Sequence, residues 1–276
     1  MANKPDFIIL GPPKAATTWV YECLKEHPEV YMPETDQISY FNINYHKGEE
    51  WYLEHFEEAE ESQVVGEESL LYIKNVKAPE RIAKDYEDVK LIFILRNPID
   101  RAFSHYWHEK KKDKIKYSFD QILEIHDLFE SWAVTGFYYT HIQRYLEHFD
   151  RDQMKIMIFD DLVENDEEFI SEIFEFVDVD PEYRPSFLDD KVNEAGVEWM
   201  KPYKLGKEFL KRNLSERQIK ALMPVHKGFK GLFASKSEYE KGMDDEIRTE
   251  LEKVFEEEVD ELSRFLDRDL SHWVDN

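Results

Sequence analysis

Two short stretches of this chain combine backbone geometry with cationic side chains in a way that suits phosphate. The first, Gly11-Pro12-Pro13-Lys14-Ala15-Ala16-Thr17-Thr18-Trp19, joins the apolar run Phe7-Ile8-Ile9-Leu10 to a helical pattern. A turn from a strand into a helix N-terminus presents unpaired backbone N–H groups, and the helix dipole adds partial positive charge. Thr17 and Thr18 can cap that helix and offer hydroxyls to the same anion, while Lys14 supplies a mobile full charge. The second stretch is Leu95-Arg96-Asn97-Pro98-Ile99-Asp100-Arg101-Ala102-Phe103-Ser104. Arg96 stands at the end of another apolar run, where its planar fork can hold a phosphate through two parallel hydrogen bonds. Ser104 lies two turns into the next helix, with a hydroxyl that can reach the same group. Seen singly, the first is an ordinary turn with a chance lysine and the second a surface ion pair. In this order, and paired, the chance reading falls away.

These stretches need strands and helices to position them. Apolar runs at Phe7–Leu10, Val64–Gly66, Leu91–Leu95 and Met154–Phe159 read as buried strands. Helical patterns alternate with them, over Thr17–Glu26, 78–86, Ile99–Lys111, Gly136–Phe149, Glu167–Val177 and Asp244–Leu266. Strands alternating with helices predict an α/β fold with a mainly parallel central sheet covered on both faces. In such sheets ligands bind beyond the C-terminal ends of the strands, where both stretches fall.

The 276 residues suit a single domain over 1–276, with hydrophobic residues at 42% and aromatics at 14%, enough for a sizeable core. A net charge of −25 repels nucleic acid and anionic membranes, so neither is an expected partner. The same charge fits a protein kept soluble at high salt, and equally plain acidic solubility. Any anionic ligand must then be held by a local cationic site. Cys23 is the sole cysteine, which excludes an intrachain disulfide and a cysteine metal site, and it is expected to be buried. No His/Asp/Glu set has metal-site spacing, so no metal is expected. With no leader pattern and no apolar run near membrane-spanning length, a cytoplasmic protein is expected.

The first loop is not a Walker A loop, because Ala16 and Thr17 stand where its Gly and Lys would be. It resembles instead the 5′-phosphosulfate loop of sulfotransferases that use 3′-phosphoadenosine 5′-phosphosulfate (PAPS). That pattern is Pro-Lys-x-Gly-Thr-Thr and a hydrophobic residue or Trp; Lys14, Thr17, Thr18 and Trp19 match, and Ala16 replaces the Gly. The second stretch is similar to the family's 3′-phosphate motif at Arg96, Asn97, Pro98, Arg101 and Ser104. Asn44–Tyr52 and Gly136–Leu146 resemble the heparan sulfate branch, and Arg268–Trp273 the tail of microbial members. The resemblance implies a P-loop-like sulfotransferase fold and PAPS as co-substrate, bound by Lys14, Ala15, Ala16, Thr17, Thr18 and Trp19 at one end. Arg96 and Ser104 would hold the 3′-phosphate, with Lys227 folding over it. Trp19 would pack against adenine or fill the core.

The implied chemistry is in-line displacement at sulfur, with charge developing on the bridging oxygen beside Lys14. A hydroxyl acceptor also needs a base. In the heparan sulfate branch that base is a Glu two residues before His/Gln-Phe-Phe; here Gln37 takes its place, and an amide cannot be a base. A carboxylate from Glu67, Asp36, Glu68 or Glu34 is the alternative, with Glu67 and Asp36 favoured; an amine acceptor would need little help. The acceptor would be a carbohydrate, glycolipid or small molecule. A P-loop kinase and a nucleotide-binding protein without turnover are the competing readings.

Overall fold

The computed structural model of the chain describes residues 3–35, 37–112, 115–189 and 242–275. Among these residues a sheet forms from β1 (Phe7–Gly11), β2 (Val30–Tyr31), β3 (Val64–Glu68), β4 (Lys90–Leu95) and β5 (Met154–Ile158). The order is β2-β3-β1-β4-β5, and every neighbouring pair runs parallel. The expected α/β architecture is present. The edge strand β2 is too short, at two residues, to leave a periodic signal.

Parallel neighbours need crossovers, and between the strands these contain α1 (Thr17–Glu26), α2 (Glu49–Leu53), α3 (Ala78–Asp85), α4 (Pro98–Lys111), α5 (His126–Leu128) and α6 (Tyr138–Leu146); α7 (Phe159–Glu164), α8 (Asp166–Phe176) and α9 (Asp245–Leu266) follow β5. Strand side chains alternate between two cores. Ile8, Leu10, Leu91, Phe93 and Leu95 share one with Ile82 of α3, Ile99 of α4, Ile142 of α6 and Phe255 of α9. Phe7, Ile9, Ile92 and Ile94 share the other with Trp19, Val20 and Leu24 of α1 and Phe169 and Ile173 of α8. Because both faces are covered, the strands read as continuous apolar runs. Each such side chain contributes about 1.5–3 kcal/mol through burial. Cys23 is buried in the second core, as expected.

Two features matter for the strand tips. Strands β3, β1 and β4 are consecutive neighbours, and a spacing of about 4.8 Å per strand puts their C-terminal ends within roughly 10 Å of one another. At the end of β1, Gly11 has φ 99°, and a Cβ there would meet the Leu70 carbonyl oxygen at 2.4 Å. Only glycine allows this approach, which presses the segment after β1 against the segment after β3.

The C-terminal segment braces the third tip. Asn97 donates through Nδ2 to the Trp273 carbonyl at 3.0 Å, and Trp273 Nε1 donates to Asp160 at 3.0 Å. Arg268 forks onto both oxygens of Asp161 at 2.5 and 2.6 Å.

Candidate active site

The loop after β1 turns through two left-handed residues, Lys14 (φ 74°) and Ala16 (φ 65°), and delivers the chain into α1 at Thr17. Ala16 is the N-cap, and no side chain caps this helix; nor does its first turn carry an acid. In a chain with 61 acidic residues, an acid-free helix start leaves dipole and N–H groups facing outward for an anion. Thr17 is buried and Thr18 half-buried at that start.

Trp19 takes the second of its two expected places. Its ring is 2% exposed and meets Phe169 edge-on at 6.4 Å, so it fills the core between α1 and α8 instead of lining a cleft. The helical turn dictates this, because position 19 faces the sheet together with Cys23. Ala15 is also fully buried, so only its backbone can turn toward a ligand.

The tip of β4 joins the first loop directly. Arg96 Nη1 donates to the Lys14 carbonyl at 3.2 Å, its guanidinium lies 4.7 Å from the Phe159 ring centroid, and Tyr138 Oη donates to its carbonyl at 2.8 Å. Asn97 then caps α4, accepting from the N–H groups of Ile99 and Asp100 at 2.9 and 3.2 Å. Ser104 lies half-buried on α4. Three residues before it, Arg101 is 0% exposed and donates to the Trp132 carbonyl.

His105 was not singled out by its sequence context, yet it records the local field. Burial pushes its pKa down to about 3, helped by the positive charges of Arg101, Lys14, His108 and Lys74. Cations thus converge at this end of the sheet although the molecule as a whole is strongly acidic, and the imidazole there stays neutral. Lys74, itself lowered by burial, donates to the Glu130 carbonyl at 3.2 Å.

The carboxylates sort by strand alternation. Glu67 pairs in register with Ile8 and so faces the first core, where it is 0% exposed. It accepts from Tyr52 Oη, from Ser69 Oγ at 2.6 Å and from Tyr72 Oη at 2.8 Å. Those hydroxyls accept in turn from the Ser39 and Phe41 N–H groups, at 3.0 and 3.1 Å. Glu67 is therefore a sealed hub that ties the 39–41 segment to β3, not a group open to an acceptor, and the expectation of a base there is corrected. Glu34 is exposed and paired with Lys25 at 2.8 Å. Asp36 and Lys227 lie outside the described residues. Glu68 pairs in register with Ile9 and faces the α1 side, the side of the anion loop. Gln37 Nε2 donates to Glu68 Oε2 at 3.4 Å, and Gln37 Oε1 accepts from the Leu70 N–H at 3.3 Å.

These positions suit a ligand with two anionic groups, one at the helix N-terminus beside Lys14 and one at Arg96. A carboxylate–amide pair lies next to the first. Among the described residues, no set of three His, Cys, Asp or Glu side chains could hold a metal, and no helix is long and apolar enough to cross a membrane.

Residues 4–268 match the family model described as "Sulfotransferase domain". The chain is 31% identical over 201 residues to the mouse bifunctional heparan sulfate N-deacetylase/N-sulfotransferase 4, covering 66% of this chain and 23% of that protein. It is 34% identical over 128 residues to the membrane-associated sulfotransferase kil1 of Dictyostelium discoideum, covering 43% and 27%. The chain thus spans about a quarter of the length of these curated relatives. Among solved structures it is similar to a sulfotransferase from Alicyclobacillus acidocaldarius, with TM-score 0.73, 22% identity and coverage of 98% and 99%. That likeness concerns the fold.

Proposed function

This chain belongs to the sulfotransferase family, and on that premise we propose that it moves a sulfuryl group from PAPS to a hydroxyl or amine of an acceptor, a sugar being the favoured class. The observation that carries the reading is the hydrogen bond from Arg96 to the Lys14 carbonyl, by which the two cationic strand tips adjoin. A doubly phosphorylated adenosine has anions at both ends of its ribose, and two adjoining cationic tips complement that spacing. The 5′-phosphosulfate sits on the Lys14–Thr18 turn, with the free N–H groups of α1 as donors. The 3′-phosphate takes the Arg96 fork and the Ser104 hydroxyl. A mouse relative of this fold, at TM-score 0.50, was solved complexed with PAP, adenosine 3′,5′-bisphosphate.

Transfer proceeds by in-line attack of the acceptor on sulfur. As the bond to the bridging oxygen breaks, negative charge grows on that oxygen, and the Lys14 ammonium stabilises it more in the transition state than in the ground state. The sugar acceptor is suggested by the relatives whose printed names specify heparan sulfate.

A thermal-shift panel tests the donor site, comparing adenosine 3′,5′-bisphosphate with ATP, each with and without magnesium. Ligand at 100-fold its Kd adds about 2.7 kcal/mol to stability, or roughly 5–10 °C at this chain length. A metal-independent rise with the bisphosphate alone is expected. A rise only with ATP and magnesium would indicate a kinase-type site.

A further inference from the structure

The reaction needs a group that takes the acceptor's proton. Glu67 is sealed inside its hydroxyl cage, and Glu34 is exposed in an ion pair with Lys25. We infer that Glu68 is the proton-accepting carboxylate of this chain and that Gln37 is its positioning partner. This deepens the sulfotransferase reading and rests on it.

Four observations place the pair where such a group is needed. Glu68 ends β3, the direct neighbour of β1, and stands level with Ile9, two residues before the anion loop begins. Alternation turns it toward α1, whose N-terminus carries Thr17 and Thr18, and away from the aromatic core that encloses Glu67. The segment that follows touches the start of the loop, since Gly11 approaches Leu70 closely enough to exclude any side chain. Gln37 is held at both ends of its amide, accepting from Leu70 N–H and donating to Glu68. Its neighbour Ser39 is tied through Ser69 to Glu67, so the loop that carries Gln37 cannot drift from the strand tip. The amide cannot accept the proton, but it can fix the carboxylate that does.

The step balances as follows. The acceptor's lone pair forms a new S–O or S–N bond. The bond between sulfur and the bridging oxygen breaks, and its electron pair leaves on the 5′-phosphate of adenosine 3′,5′-bisphosphate. The acceptor's O–H or N–H proton passes to the Glu68 carboxylate, which later returns it to solvent. Glu68 is 2% exposed, and a carboxylate acting as base must lie within hydrogen-bond reach of the proton it takes.

The test compares the intact chain with Glu68→Gln, Glu68→Asp and Gln37→Ala. Each is given radiolabelled PAPS with two acceptors, water and a de-N-sulfated heparan saccharide carrying free amines. Calorimetric titration with adenosine 3′,5′-bisphosphate runs in parallel. Glu68→Gln should bind the bisphosphate within about threefold of wild type yet transfer 10²–10⁴-fold more slowly, the usual contribution of a general base. The acid limb of its pH–kcat profile should vanish, Glu68→Asp should recover part of the rate, and Gln37→Ala should lower kcat more than it raises KM for the saccharide. Transfer by Glu68→Gln within threefold of wild type overturns the inference, as does a wild-type rate indistinguishable from background with both acceptors. Failure of the wild type to bind the bisphosphate instead overturns the sulfotransferase reading itself.

Discussion

Replacing Glu67 with Ala would show how far this site depends on a fully buried carboxylate. The substitution leaves Tyr52 Oη, Ser69 Oγ and Tyr72 Oη without their common acceptor in a fully buried position. A buried hydrogen bond contributes about 1 kcal/mol net, and an orphaned buried group costs about 1–3 kcal/mol. Three hydroxyls therefore set the loss at about 3 kcal/mol or more, a fall in Tm of roughly 6–12 °C. Scanning calorimetry measures it, and hydrogen exchange at Ser39 and Phe41 reports the loop, because their N–H groups donate into the caged hydroxyls. Both amides should exchange at least about tenfold faster, corresponding to about 1.4 kcal/mol. The pH dependence adds a second reading. Burial raises the Glu67 pKa above 4.5, against the opposing pull of Ser69, Tyr52 and Tyr72. A carboxyl raised on folding contributes stability that is complete below its unfolded pKa and lost as pH rises through the folded value. Glu67→Gln, which cannot ionise, should lack that part of the decline. A Glu67→Ala protein melting within about 2 °C of wild type, with unchanged exchange at both amides, would refute the reasoning.

Ala16 adopts φ 65°, a region costing a non-glycine residue about 1–2 kcal/mol, of which the extra freedom of glycine in the unfolded chain returns about half. Ala16→Gly should therefore raise Tm by roughly 1–3 °C in calorimetry while leaving bisphosphate affinity intact. Arg96→Ala should weaken adenosine 3′,5′-bisphosphate binding about 10- to 200-fold by calorimetric titration, the worth of one or two charge-assisted bonds, and flatten the salt dependence of Kd. His105 and His141 are pushed down to about 3 and about 4, in each case first by burial and then by nearby cations. Histidines lowered on folding stabilise above the unfolded pKa near 6.5, and that stability is lost as pH falls toward the folded values. NMR should show both imidazoles static from about pH 8 to about pH 5.5; a midpoint above that lower bound would contradict their burial.

How much could be read without coordinates depended on whether the signal was local. The strands at Phe7, Leu91 and Met154 are apolar runs in the chain itself, and the parallel sheet followed from their alternation with helices. The cationic tips were equally legible, because a strand end, a lysine and two threonines are neighbours along the backbone, as are Arg96, Asn97 and Pro98. What lay beyond reach was the direction of each side chain at a strand end and the company it meets there. Glu67 and Glu68 are adjacent and chemically identical, yet a pleat sends one into a cage of hydroxyls from residues 52, 69 and 72 and the other toward Gln37, 31 positions away. Trp19 likewise matches the loop pattern while its ring belongs to the core. Sequence determined which residues carry charge and which runs form strands, since those are properties of neighbours along the chain. Tertiary structure alone decided which carboxylate sits in a hydroxyl cage and which meets Gln37, because register and face are set only when distant segments pack together.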